Sequence, residues 1–264
     1  MKLPGHEQFI ERVKEQVAQD HRLVGLLGGG SMLTGSMDEY SDLDFIVVYD
    51  PAHQEEIMEQ RLTLVGSFGN LLSAFTGEHV GEPRLVICLY GPTALHVDIK
   101  LLSPAELKER VEDPLVLWER DREMSTILEQ TTPDFPYPDP QWIEDRFWVW
   151  VHYGAAKLGR GELFECIDMI TFLRGTVLGP LILVENGQLP RGVRKLEQQA
   201  LGAITELEET VPSHNAESCY NAMQASIRIY QRLRQNLTHL MHKKEAEQVS
   251  VAYLNQVYNS LSTK

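Results

Sequence analysis

LLGGGSMLTGSMDEYSDLDFIVVY, residues 26–49, holds the pattern on which the rest of the chain turns. An apolar strand runs into Gly28-Gly29-Gly30-Ser31, and after a polar stretch Asp42-Leu43-Asp44 opens a second apolar strand. Side chains two apart on a strand share a face, so Asp42 and Asp44 point the same way. Two carboxylates so placed cannot both stay ionised without a cation or a shared proton. Phosphoryl and nucleotidyl transfer supply that cation, since Mg²⁺ takes a few carboxylate oxygens and keeps positions for water and substrate phosphates. A third acid is expected on a neighbouring strand. Asp98 fits, because it is the only acid between Ala94 and Leu102. Singly, Asp42 reads as a strand-edge residue and Asp98 as the wet face of an alternating strand. Jointly, behind a glycine turn, the three read as a metal-binding catalytic cluster.

The glycines have a mechanical role. Gly29 and Gly30 let backbone approach a triphosphate, and Ser31 offers a hydroxyl and an amide at an expected helix start. A dinucleotide-binding fingerprint from Gly28 would need glycine at 33, where Leu33 stands. A P-loop is excluded because no Gly-Lys-Ser/Thr follows.

Outward from this segment the chain changes texture. Leu23–Leu27, Leu43–Tyr49, Arg84–Tyr90 and Ala94–Leu102 read as strands, with Gly91-Pro92-Thr93 as a hairpin turn. Residues 6–20 and 53–64 read as helices. Ser103 caps a further one, with Pro104 at its first position and Glu106 three residues past the cap. Residues 131–140, TTPDFPYPDP, cannot hold a helix and read as a linker. Beyond it, Trp142, Phe147, Trp150, Val151 and Leu158 share a helix face, and Leu163, Ile167, Ile170, Leu173, Val177 and Leu181 mark a more buried helix ended by Asn186-Gly187. Helices are expected at 192–210, 215–241 and 244–261. The division is an α/β domain over 1–130, a linker over 131–140 and a helical domain over 141–264: an α+β chain.

Composition narrows the partners. The formal net charge is −14, of which −12 falls on residues 1–130 (11 Lys+Arg against 23 Asp+Glu). Such a surface repels a nucleic-acid backbone and favours Mg²⁺ and a cationic small molecule, although a plain solvated acidic face accounts for it equally well. The apolar stretch 163–184 is interrupted by Glu165, Asp168, Arg174 and Pro180, which favours a buried helix over a membrane span. The charged opening MKLPGHEQFIERVKEQ and three scattered cysteines, Cys88, Cys166 and Cys219, predict a cytoplasmic location with reduced thiols. His239 and His242 have no third ligand nearby and read as a solvated helix end.

Gly30-Ser31, ten residues (32–41), then Asp42-Leu43-Asp44-Phe45 resembles the signature of the DNA polymerase β-like nucleotidyltransferase superfamily. The gap, with Gly35 and Asp38-Glu39-Tyr40-Ser41, looks like the bacterial small-molecule branch that includes aminoglycoside adenylyltransferases. The resemblance covers Leu26 to Leu101 and implies a minimal mixed-sheet nucleotidyltransferase domain followed by a helical bundle. It implies transfer of an NMP, AMP from ATP in the first instance, to a hydroxyl of a small acceptor with release of pyrophosphate. Asp42 and Asp44 would bind two Mg²⁺ ions, Asp98 would complete the site as a further ligand, as the base that activates the acceptor, or as both, and Gly29, Gly30 and Ser31 would hold phosphates. Many members carry Arg after the Gly-Ser where Met32 stands here, which leaves phosphate binding to backbone amides or a cation from elsewhere. Lys157 is the candidate cation and, with Arg160, reads alternatively as a helix C-terminal charge. Glu144, Asp145, Glu165 and Asp168 are alternative bases or acceptor contacts. Trp142, Trp148 and Trp150 read as core before they read as stacking platforms. Transfer to a protein hydroxyl and a catalytically silent nucleotide-binding module are the competing readings. Oligomeric state and acceptor identity stay open.

Overall fold

The computed structural model describes residues 3–262. The chain divides into two compact units, Met1–Phe135 and Pro136–Lys264.

The first unit is built on a mixed six-stranded sheet. Its elements are α1 (Pro4–Gln19), β1 (Leu23–Gly28), β2 (Leu43–Tyr49), α2 (Gln54–Glu59), α3 (Arg61–Ser67), β3 (Leu71–Gly77), β4 (Glu82–Tyr90), β5 (Leu95–Leu102), α4 (Pro104–Leu107), β6 (Leu115–Glu119) and α5 (Glu123–Gln130). The sheet order is β3-β4-β5-β2-β1-β6, and the one parallel pair is β2 with β5.

Alternation along β2 and β5 sorts side chains to two faces. Leu43, Phe45 and Val47, with Val97, Ile99 and Leu101, join a core that takes Phe9, Val13 and Val17 from α1 and Leu64 and Val65 from α3. The α1 contribution recurs at every fourth residue, the spacing of one helix face. The opposite face is only partly covered: Met124 and Ile127 of α5 and Leu107 of α4 pack with Val24, Leu27 and Val48. Ser103 and Glu106 complete the reciprocal capping box at α4.

Two strands escape the sequence pattern. β3 and β6 are the sheet's edges, each bonded on one side only. β3 slips register at both ends, and β6 has no buried residue, so neither shows clean alternation. The helix expected over 53–64 is two short helices broken at Gln60.

The second unit is helical. It comprises α6 (Pro140–Gly159), α7 (Leu163–Leu173), α8 (Gly179–Glu185), α9 (Leu196–Gln199), α10 (Ile204–Glu208), α11 (Ala216–Leu233) and α12 (Lys244–Ser262). Residues 131–139 are irregular until Asp139 caps α6, its side chain accepting from the Gln141 and Trp142 amides. The apolar stretch from Leu163 is interrupted by a π-turn over Arg174–Leu178. Pro180 has no N–H to continue the ladder, and Gly179 N–H reaches back to the Arg174 carbonyl. Leu163–Glu185 is apolar and long enough to cross a membrane by length and composition alone, and half of its most apolar window is buried inside the structure. The helix expected over 192–210 is instead a loop and short pieces, because Gly192 and Lys195 take positive φ.

A buried carboxylate organises the helical unit. Glu144 on α6 is fully buried. It accepts from Trp148 Nε1 at 3.1 Å, Tyr230 OH at 2.7 Å, Arg234 Nη1 at 3.1 Å and Lys243 N at 2.8 Å. This corrects the expectation that Glu144 serves as a base or acceptor contact, since its lone pairs are occupied by core donors. Burial pushes the Glu144 carboxyl up, but the bonds from Tyr230, Lys243 N–H and Trp148 and the Arg234 charge outweigh it and hold the group below the usual glutamate range. A carboxyl lowered on folding stabilises above its unfolded pKa, and that contribution is lost as pH falls through the folded value. Glu144→Ala should therefore cost about 3 kcal/mol at neutral pH by leaving buried donors unpaired. Urea denaturation should also show wild type losing more stability than the variant between about pH 5 and about pH 3.

Candidate active site

β2 and β5 run parallel with Asp44 directly opposite Asp98 and Leu43 opposite Val97. Both aspartates lie on the half-exposed face, while Leu43 and Val97 point into the core. Asp42 is one residue before β2 and half-buried. Its loop is held by an Asp38–Ser41 turn, in which Ser41 Oγ and the Tyr40 amide donate to Asp38, and by His6 Nε2 against Ser41 O at 2.8 Å. Asp38 is thus committed to its own turn.

The glycine segment closes on the same acids. Gly29 N–H donates to the Asp44 carbonyl at 2.8 Å. Gly30 has φ +56°, and a Cβ placed there would lie 1.9 Å from Asp44 Oδ2. Only glycine lets the backbone come this close to the carboxylate. Gly30–Met32 forms a single 3₁₀ turn with Ser31 at its centre, which corrects the expected helix start. Met32 turns inward to pack at Gly28 and the core edge, so an apolar contact replaces the cation at that position.

Lys100 and the candidate cations Lys157 and Arg160 each lie beside a carboxylate of their own unit. Lys100 follows Asp98 by two residues on β5 and bonds Glu82 Oε2 at 2.8 Å. Arg84, aided by Lys100, holds the Glu82 carboxyl down at about 2. Lys157, in the helical unit, lies 2.9 Å from both Glu162 and Glu165, and those carboxylates raise its pKa. Arg160 is 4.0 Å from Glu162. Among the alternative bases, Asp145 bonds Gln141 and Lys243, Glu165 accepts from Tyr153 OH and pairs with Lys157, and Asp168 is exposed. Trp148 is core, whereas Trp142 is 41% exposed with Arg146 over its ring at 4.3 Å.

Residue 96 carried no functional reading in the sequence, yet His96 Nε2 sits 2.9 Å from Asp98 Oδ1. The available signal was spacing: His96 and Asp98 are two apart on one strand. His242 lines a groove of about 760 Å³ in the helical unit, with Gln231, Arg234 and Glu247, and none of the three aspartates lines it.

Among the described residues, no group of three or more His, Cys, Asp or Glu side chains is arranged to hold a metal ion. The structure instead pairs Asp44 with Asp98 and leaves Asp42 just outside the strand. Mg²⁺ is commonly held by one or two carboxylates, with water and substrate phosphates completing its shell. The Asp44–Asp98 pair beside the Gly30 cradle meets that smaller requirement.

Residues 8–116 match the family model described as a nucleotidyltransferase domain. Among solved structures, the chain is similar to an aminoglycoside 6-adenyltransferase from Bacillus subtilis, at 12% identity and a TM-score of 0.41, over 98% of this chain and 99% of that one. It is also similar to a nucleotidyltransferase-like protein from Exiguobacterium sibiricum, at 14% identity and a TM-score of 0.39, over 86% of this chain and 75% of that one. No curated protein matches the chain.

Gly30→Ala should displace the Asp44 carboxylate and lower nucleotidyl transfer by about 100-fold or more, because misplacement by about 1 Å suffices for such a loss. Gly35→Ala is the control, since Gly35 also has positive φ (+61°) but faces open space. Both variants should melt slightly below wild type. Only the first should lose transfer of label from α-labelled nucleoside triphosphates.

Proposed function

We propose, on the match of residues 8–116 to the nucleotidyltransferase-domain model, that the chain moves an NMP, AMP from ATP in the first instance, onto a hydroxyl of a small cationic acceptor of the aminoglycoside type. The observation that carries this reading is the in-register pair Asp44–Asp98 beside the Gly29-Gly30 backbone.

Two Mg²⁺ ions would neutralise the acids and the triphosphate and polarise the α-phosphate. Asp44 and its cross-strand partner Asp98 would hold that charge, with Asp42 just before β2 completing the set. Gly29, Gly30 and Ser31 bring backbone and a hydroxyl to the phosphates without a side chain in the way. Asp98 takes the proton from the acceptor hydroxyl. The acceptor oxygen then bonds the α-phosphorus, the bond from that phosphorus to the bridging oxygen breaks, and pyrophosphate leaves with the electron pair. General base catalysis of this kind contributes about 10²- to 10⁴-fold. Phosphate binding in this proposal falls to the Gly29 and Gly30 backbone, because Met32 supplies no cation and Lys157 is engaged by Glu162 and Glu165 within the helical unit. The net charge of −14 supports a cationic acceptor over a nucleic acid. Three free cysteines support a reducing, cytoplasmic setting.

The test is calorimetric titration of a non-hydrolysable ATP analogue, with and without Mg²⁺, on wild type and on Asp42→Asn/Asp44→Asn. A panel of aminoglycosides is then assayed with α-labelled ATP. Metal-dependent binding and transfer should both vanish in the variant at a melting temperature no lower than that of wild type. Equal binding by the variant, or no binding of any nucleoside triphosphate by wild type, overturns the reading.

A further inference from the structure

We infer that His96 is the positioning residue for Asp98, fixing which carboxylate oxygen faces the acceptor; this rests on reading Asp98 as the acid on the acceptor side.

The surroundings of Asp98 are defined by register. On one side stands Asp44 on β2, and on the other Ile87 on β4. Along its own strand, Lys100 is engaged by Glu82 and His96 is turned to Asp98. A carboxylate with an acid on one side and a hydrocarbon on the other has no donor at its cross-strand positions to set its rotation. His96 provides the missing restraint. Facing a carboxylate, its Nε2 carries the hydrogen and donates to Asp98 Oδ1 at 2.9 Å. One oxygen is thereby occupied, and Oδ2 is left as the one that can take the acceptor proton.

The geometry favours positioning over stability. The His96 side chain is 52% exposed, against 27% for Asp98. Its cross-strand neighbour Leu89 is 38% exposed, so little packing depends on the imidazole. An exposed pair of this kind contributes little to folding, whereas outer partners that orient a ligating or reacting group typically matter about 10- to 100-fold in activity.

The experiment combines kinetics with crystallography on wild type, His96→Ala and His96→Gln, with Asp42→Asn as a reference. The substrates are MgATP and whichever aminoglycoside of the panel gives the highest wild-type transfer. His96→Ala should lower kcat about 10- to 100-fold and leave the KM for ATP and the melting temperature unchanged. His96→Gln, whose amide can donate in place of Nε2–H, should recover most of the loss. In crystals, the Asp98 carboxylate should rotate in His96→Ala and keep its wild-type orientation in His96→Gln. An unmoved Asp98 in His96→Ala, or wild-type kcat in that variant, overturns the inference. Asp42→Asn separates the two levels. If that substitution abolishes transfer while His96→Ala does not lower it, the positioning role alone fails. If wild type binds and transfers no nucleotide, the proposed function fails, and the Asp98 orientation still reports whether His96 sets it.

Discussion

Two carboxylates held side by side on one face of a sheet constitute the central constraint of this molecule. Neighbouring strands lie about 4.8 Å apart. Two unit charges at that spacing repel by about 3 kcal/mol at an effective dielectric constant of about 20. The chain accepts this cost where β2 and β5 form the one parallel contact in an otherwise antiparallel sheet, which sets Asp44 opposite Asp98. The glycines follow from it, because Gly30 can lie against Asp44 only without a side chain. α4 and α5 cover that face only in part. Their apolar contacts gather around Val24, Leu27 and Val48, and the acids remain on the half-exposed part of that face.

The helical unit handles charge in the opposite manner. Glu144 is fully enclosed, and each of its oxygens is met by donors from Trp148, Tyr230, Arg234 and the Lys243 amide. Arg234 continues the network to Glu247 at 2.5 Å and lies over the Trp148 and Tyr230 rings. A buried charge of this sort is tolerated only when its hydrogen bonds are complete. It orders α6 against α11 and the approach to α12. Asp44 and Asp98, by contrast, stand opposite each other on a half-exposed face, with His96 beside Asp98, an arrangement suited to a functional site.

Much of this was legible in the residues themselves. Alternation in Leu43–Tyr49 and in the run ending at Leu102 gave the strands and placed the aspartates on one face, because a period of two needs no tertiary information. The capping box at Ser103 was equally local. β3 and β6 were not legible, since edge strands half-exposed on both faces carry no clean period. The π-turn before Gly179 was hidden because one apolar periodicity continues through it. Glu144 looked like any acid on a helix, and no sequence pattern shows that its face is closed by α11 and the 243 loop.

By itself, then, the sequence determined the α+β character, the acid–glycine motif and the chemistry that such a motif supports. These depend on spacing within one strand or one turn, where neighbours in the chain are neighbours in space. Only the tertiary structure decided which other groups meet across strands and helices: His242 with Glu247 along one groove, Lys100 with Glu82, Glu144 with Arg234. Those pairings depend on strand order, register and helix packing, which are set by burying two faces of a sheet and the core of a helical unit. They leave no trace in the local spacing of the residues that make them.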